Sequence, residues 1–166
     1  MNLVYALPKP YGQTIMDVAA VPGRIVKFKG RVKASGPPEF GVSHHIARAV
    51  LKIMDYNPEF RSAICLKYDD RLIEAARRLG LKVSYYDRRE EPEELKKVEG
   101  ATVPWGVDVA VKRLSGETPD IIYHLGDLGK EPIITVFGRN PVEIVDKALK
   151  IAIEAGLGRK EEAEKS

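Results

Sequence analysis

The chain is poor in the residues that build disulfide scaffolds, metal clusters and membrane spans. Its 166 residues include one cysteine, Cys65, three histidines and one tryptophan. A lone cysteine closes no internal disulfide and supplies no cysteine metal motif, so a stapled secreted scaffold is excluded and a reducing, cytoplasmic setting is expected. No apolar run approaches the ~20 residues of a membrane span. The opening "MNLVYALPKPYG" has neither the basic start nor the long apolar centre of a secretory leader. Neither sign of charge dominates: 27 Lys and Arg stand against 24 Asp and Glu, for a net +3. No basic stripe accompanies that small excess, so no nucleic-acid partner is expected.

What is present is an ordinary globular composition at the charged end, 44% hydrophobic and 31% charged. High charge and many loop prolines are also features of thermophile proteins. The length suits one domain with a proper core. That domain is expected over residues 1–157, with "GRKEEAEKS", 158–166, as a frayed, solvated tail.

Runs rich in β-branched and aromatic residues predict strands at 2–7, 24–34, 63–68, 82–87, 120–125 and 132–138. Helix 43–55 places Ile46, Val50, Ile53 and Met54 on one face, the 3.6-residue stripe of a core-facing helix. Helix 70–79 ends at Gly80. Helix 141–155 opens with Asn140 as cap, Pro141 in the first turn and Glu143 closing a capping box, and ends at Gly156. Shorter helices are expected at 104–114 and from Pro92. Residues 63–87 read strand, helix, strand, a βαβ unit with parallel strands. Its ligand-binding ends would be Tyr68-Asp69-Asp70 and Asp87-Arg88-Arg89. Residues 120–138 read instead as two strands joined by a loop, so a mixed sheet covered by helices is expected.

The stretch "SGPPEFGVSHHIARAV", 35–50, carries the strongest chemical signal. Ser43 is a good helix N-cap, which puts His44 and His45 in the first turn, where free N–H groups and the helix dipole attract anions. Gly36 and Gly41 would let backbone approach a ligand. The pattern suits a phosphate or pyrophosphate seat; a capped helix with solvent-facing histidines is the plain alternative. A zinc site of His44, His45 and His124 is disfavoured, because adjacent helical residues point ~100° apart. The loop "YHLGDLGKEP", 123–132, offers Gly129, Lys130 and backbone N–H groups for phosphate, and Asp127 or Glu131 for Mg²⁺. Taken alone, it reads better as a polar turn between strands. Arg88 and Arg89 have forks that match phosphate, or pair with Glu90 and Glu91. Trp105 suits either a flat-ring pocket or the core. Cys65, in an apolar strand, is a poor nucleophile. The sites share a preference for anions, and no nucleophile–base pair stands out.

Four segments, "DVAAVPGRIV" (17–26), "PEFGVSHHIARAVL" (38–51), "YYDRREEPEE" (85–94) and "GDLGKEPIITVFGRNP" (126–141), together resemble the ThiN-type thiamine-phosphate synthase domain. The resemblance covers nearly the whole chain. It implies a three-layer α/β/α fold around a mixed, partly antiparallel central sheet, similar to the class II aldolase/adducin-like domain. It implies a transferase that joins hydroxymethylpyrimidine diphosphate to thiazole phosphate and releases pyrophosphate. The family's functional arginine and histidine fall on Arg24 and His45. His44 stands where relatives commonly carry arginine and is expected to keep a donor role. Gly41, Ser43, Arg88, Arg89, Asp127, Gly129 and Lys130 are the expected substrate contacts, with Mg²⁺ bound alongside the diphosphate. A homodimer is the candidate assembly. Two other readings compete. One is a non-catalytic thiamine-phosphate sensor of the same fold, disfavoured because the chain opens on its first strand. The other is a metal-dependent aldolase, which lacks a convincing histidine set.

Overall fold

The computed structural model describes residues 1–157, so the charged tail expected at 158–166 lies outside the described residues. In chain order the elements are β1 (Asn2–Ala6), β2 (Val18–Ala20), β3 (Ile25–Phe28), β4 (Arg31–Ala34), β5 (Glu39–Phe40), α1 (His45–Ile53), β6 (Ser62–Lys67), α2 (Asp70–Arg78), β7 (Val83–Tyr85), α3 (Glu93–Lys96), α4 (Thr102–Arg113), β8 (Ile121–His124), β9 (Ile133–Gly138) and α5 (Pro141–Glu154). Short 3₁₀ turns lie at Ile15–Asp17 and Arg88–Glu90.

Seven strands form a mixed sheet in the order β5-β2-β1-β6-β9-β8-β7. All its neighbours are antiparallel except β7 and β8, which run parallel. The loop-joined pair expected at 120–138 is the antiparallel β8–β9 pair, in register Ile121↔Val136 through His124↔Ile133. The sheet thus has the mixed character expected of it.

The expected βαβ unit needs correction. Strands β6 and β7 do run in the same direction, but β9 and β8 lie between them. Burial decides this arrangement. Strand β9 is the more enclosed, with Ile134, Val136 and Phe137 at 1%, 0% and 0% exposure, and needs a neighbour on both edges. The three-residue β7 has too little to bury and serves as an edge.

Residues 24–34 also differ from the single strand expected. They form a hairpin, β3 with β4, in register Ile25↔Ala34 through Phe28↔Arg31, as a separate two-stranded sheet. Lys29 and Gly30 both take positive φ, 48° and 74°, the backbone of a tight two-residue hairpin turn.

Alternation along the strands feeds two cores, one on each face of the sheet. On one face Val4, Ala63 and Ile122 meet Val50 and Ile53 of α1 and Val107 and Val111 of α4. On the other, Ile64, Ile121 and Val136 meet Ile73 of α2 and Ile144 and Ile151 of α5. Trp105 is partly buried against the first core, edge-on to Tyr86 at 5.9 Å, and is a core residue. Asn140 caps α5 through Glu143 N–H at 2.9 Å. The expected capping box is not completed, because the Glu143 carboxylate takes Arg139 Nε at 2.7 Å instead.

Candidate active site

Strands β6, β7 and β8 point their carboxyl ends the same way, and a cleft of about 760 Å³ opens at that edge. Lys67 reaches it from the end of β6, Arg88 from the turn after β7, and His124 from the end of β8. Ser43, His44 and His45 enter from the start of α1, and Arg24 from the turn before β3. Lys130 and Glu131 close it from the β8–β9 loop. Residues more than a hundred positions apart in sequence are therefore brought to one place.

The local backbone at α1 differs from the expected cap. The helix begins at His45, His44 holds the cap position, and no side chain caps the first turn. Ser43 lies one residue too early, buried at 7% exposure. The first-turn N–H groups thus lie at the cleft without a protein side-chain acceptor, which leaves them open to water or an anion.

Arg24 carries an unusual backbone. Its φ is +77°, directly after Gly23 at +70°. A non-glycine residue pays of order 1–2 kcal/mol for that left-handed conformation. The Ser35 hydroxyl holds the turn by donating to the carbonyls of Gly23 and Arg24, at 3.0 and 2.7 Å. The result delivers the guanidinium to the cleft.

Electrostatics fit an anion. Arg24, Lys67, Arg88 and Lys130 line the cleft, and none is in an ion pair among the described residues. The His45 ring is exposed at the cleft wall, yet crowding by that wall lowers its pKa, and Arg88, Arg48 and Lys130 push the same way. It therefore enters near-neutral chemistry as an uncharged imidazole. Burial, then Arg88 and His45, push His124 down to about 4. Burial pushes the Cys65 thiol up to about 11, in keeping with a poor nucleophile.

Other expected contacts lie elsewhere. Arg89 is 81% exposed in its side chain and grips Asp87, with Nη2–Oδ2 at 2.6 Å. Asp127 accepts the Leu128 N–H at 2.8 Å and, with Gly129, is outside the cleft lining. Gly41 is also outside it; its φ of +75° and the sulfur of Met16, 2.7 Å from where a Cβ would stand, explain that glycine by packing. Tyr68-Asp69-Asp70 is structural as well: Asp69 caps α2 and pairs with Arg71, and Asp70 accepts from Tyr68. Lys67 and His124 line the cleft although neither is among the substrate contacts expected from sequence; Lys67 immediately precedes the Tyr68-Asp69-Asp70 end singled out there, and His124 lies in the 123–132 loop candidate. No group of three His, Cys, Asp or Glu is placed to hold a metal among the described residues, so the three-histidine zinc arrangement does not form. A second cleft of about 630 Å³ contains Lys9 and Lys52, both paired with Asp55.

Comparison with known proteins identifies the family. The family model "Thiamine-phosphate synthase ThiN" matches residues 1–150. A thiamine-phosphate synthase ThiN of Methanothermobacter thermautotrophicus is 44% identical over 150 residues, 90% of this chain and 77% of that one. A bifunctional thiamine biosynthesis protein ThiDN of Methanocaldococcus jannaschii is 42% identical over 147 residues, 88% of this chain but 33% of that one. The crystal structure of a phosphomethylpyrimidine kinase C-terminal domain superposes with a TM-score of 0.85 at 58% identity, over 90% of this chain and 83% of that one. No described helix is long and apolar enough to cross a membrane. Matched from its first residue through most of α5, this chain belongs to the thiamine-phosphate synthase ThiN family.

Proposed function

We propose that the chain joins hydroxymethylpyrimidine diphosphate to thiazole phosphate, giving thiamine phosphate and pyrophosphate. One observation carries this reading. Four cations without carboxylate partners and an uncapped helix start converge on one cleft with room for small phosphorylated molecules. In the same reading the fold is of the class II aldolase/adducin-like type, supported by a mixed sheet between two helix pairs.

The reaction asks little acid–base work of the protein. The thiazole nitrogen lone pair forms the new bond to the pyrimidine methylene carbon. The carbon–oxygen bond breaks, and its electron pair leaves with the diphosphate. No proton moves, so the absence of a nucleophile–base pair is no obstacle. The protein must instead hold and stabilise the departing anion, the task of placed cations and N–H donors. Arg24 supplies charge, neutral His45 supplies a ring donor, and the α1 start supplies backbone N–H groups. His44 stands beside them as a further donor.

Mg²⁺ belongs to the same reading. This ion commonly takes one or two carboxylates plus substrate phosphates. Glu131 lines the cleft and fits that role, whereas Asp127 has its carboxylate on the Leu128 N–H outside it. The ion would neutralise diphosphate charge.

Purified protein with both substrates and Mg²⁺ is expected to form thiamine phosphate. Arg24→Ala and His45→Ala should each lower kcat by roughly 10²–10³-fold, the cost of losing one transition-state donor. Well-folded wild type that binds thiamine phosphate but forms none would favour the sensor.

A further inference from the structure

Buried polar side chains in this fold are generally satisfied. Ser62 donates to Val4 carbonyl at 2.7 Å, Ser84 to Ala110 carbonyl at 2.6 Å, and buried Glu91 accepts from Thr102 at 2.6 Å. Among the described residues two buried side-chain nitrogens have no partner: Nε of Arg88 and Nε2 of His124. Both residues line the same cleft.

The histidine tautomer is fixed by its neighbour. Gly126 N–H donates to His124 Nδ1 at 3.1 Å, so Nδ1 is an acceptor and the ring proton of the neutral imidazole sits on Nε2. His124 is 4% exposed, and its ring lies against Tyr86 at 5.1 Å between centroids. The ring is held, and its N–H is a placed donor without an acceptor. Arg88 Nε–H is a second such donor, on a permanently positive group close enough to depress the His124 pKa. Two buried donors, one of them cationic, favour an acceptor that bears negative charge.

We propose that Arg88 and His124 hold one phosphoryl group in the cleft, through Arg88 Nε–H and His124 Nε2–H. His124 is then a substrate-binding residue in addition to Arg24 and His45, in the same cleft. The proposal rests on the synthase reading only for where the phosphoryl group comes from, the diphosphate or the thiazole phosphate. The donor pair itself is indifferent to that choice.

The test reads histidine ring nitrogens by NMR in the intact protein during titration with pyrophosphate and, separately, thiazole phosphate, at constant ionic strength. In the free protein His124 should show the Nε2–H tautomer. Saturation with at least one of the two should shift Nε2, and whichever ligand does so identifies the source. His124→Phe keeps ring bulk without the donor and should raise the Kd of that ligand about 10- to 100-fold. His124→Gln, which restores an amide donor, should recover part of the loss. An Nε2 signal unmoved by both ligands would overturn the proposal, as would unchanged affinity in folded His124→Phe. If that variant does not fold, the wild-type titration decides alone. Absence of thiamine phosphate from an active-site assay, with Nε2 still shifted by either anion, would count against the synthase reading and leave the phosphoryl seat standing.

Discussion

Arg24 combines a costly backbone conformation with a place in the lining of the cleft. Nothing in "VPGRIV" marks residue 24 as left-handed, because the glycine beside it is the residue expected to take that conformation. The structure puts both in it, at +70° and +77°. Strain at a residue that lines the cleft agrees with the anion-holding role proposed for it. Arg24→Gly would relieve about 1–2 kcal/mol of backbone cost and add a smaller entropic cost in the unfolded chain. The expected outcome is a melting temperature equal to or above that of wild type, with thiamine-phosphate formation down at least ~100-fold, the cost of a lost donor. A less stable but active variant would show that the turn serves folding alone. The histidines divide differently. His44 and His45 were legible from their place beside a helix start, and the cleft contains both. His124 was weighed only as a metal ligand, because its donor role depends on Gly126 N–H and on burial, neither of which is local pattern.

At the scale of elements, helices were the most legible part, since their signals are local. Helix α5 has its stripe, its Asn140 cap and its Gly156 stop, where φ is +75°. Asn140→Ala should cost about 1 kcal/mol in urea unfolding while leaving kcat/KM unchanged, because α5 packs on the face of the sheet opposite α1. A drop in activity without a drop in stability would mean that α5 reaches the site. The exposed Arg139–Glu143 pair beside the cap adds little to that figure. Strands were read well where they alternate and badly where pairing choice matters. The 24–34 run held its turn inside itself at Lys29-Gly30, and the three-residue β2 and two-residue β5 carry too few residues for a pattern. The positions of β6 and β7 could not be read from the βαβ pattern, because a local signal does not say which strand claims an edge.

At the scale of the whole molecule, buried histidine couples the site to acid stability. His124 binds a proton near pH 6.5 when unfolded and near about 4 when folded. Between those values the unfolded chain holds more protons, so stability is full above about pH 6.5 and falls as pH drops toward 4. The gap is worth on the order of 3 kcal/mol. Asp69 and Asp87, held down to about 2 by hydrogen bonds from Arg71 and Arg89, lose their contribution at still lower pH, and it is small because both pairs are exposed. Urea unfolding at pH 7 and pH 4.5 should therefore show a loss of about 2–3 kcal/mol in wild type and a clearly smaller one in His124→Phe. Equal losses would place the acid sensitivity elsewhere. The sequence by itself determined the helices, most strands, the mixed character of the sheet and the anion-seeking chemistry, because periodicity, caps and side-chain type act over a few residues. Only the tertiary structure decided strand order and which cations share the cleft. It also decided that Arg24 is strained and that His124 holds an unanswered donor. Each of those depends on which distant segments exclude water from one another, and short-range pattern does not encode that.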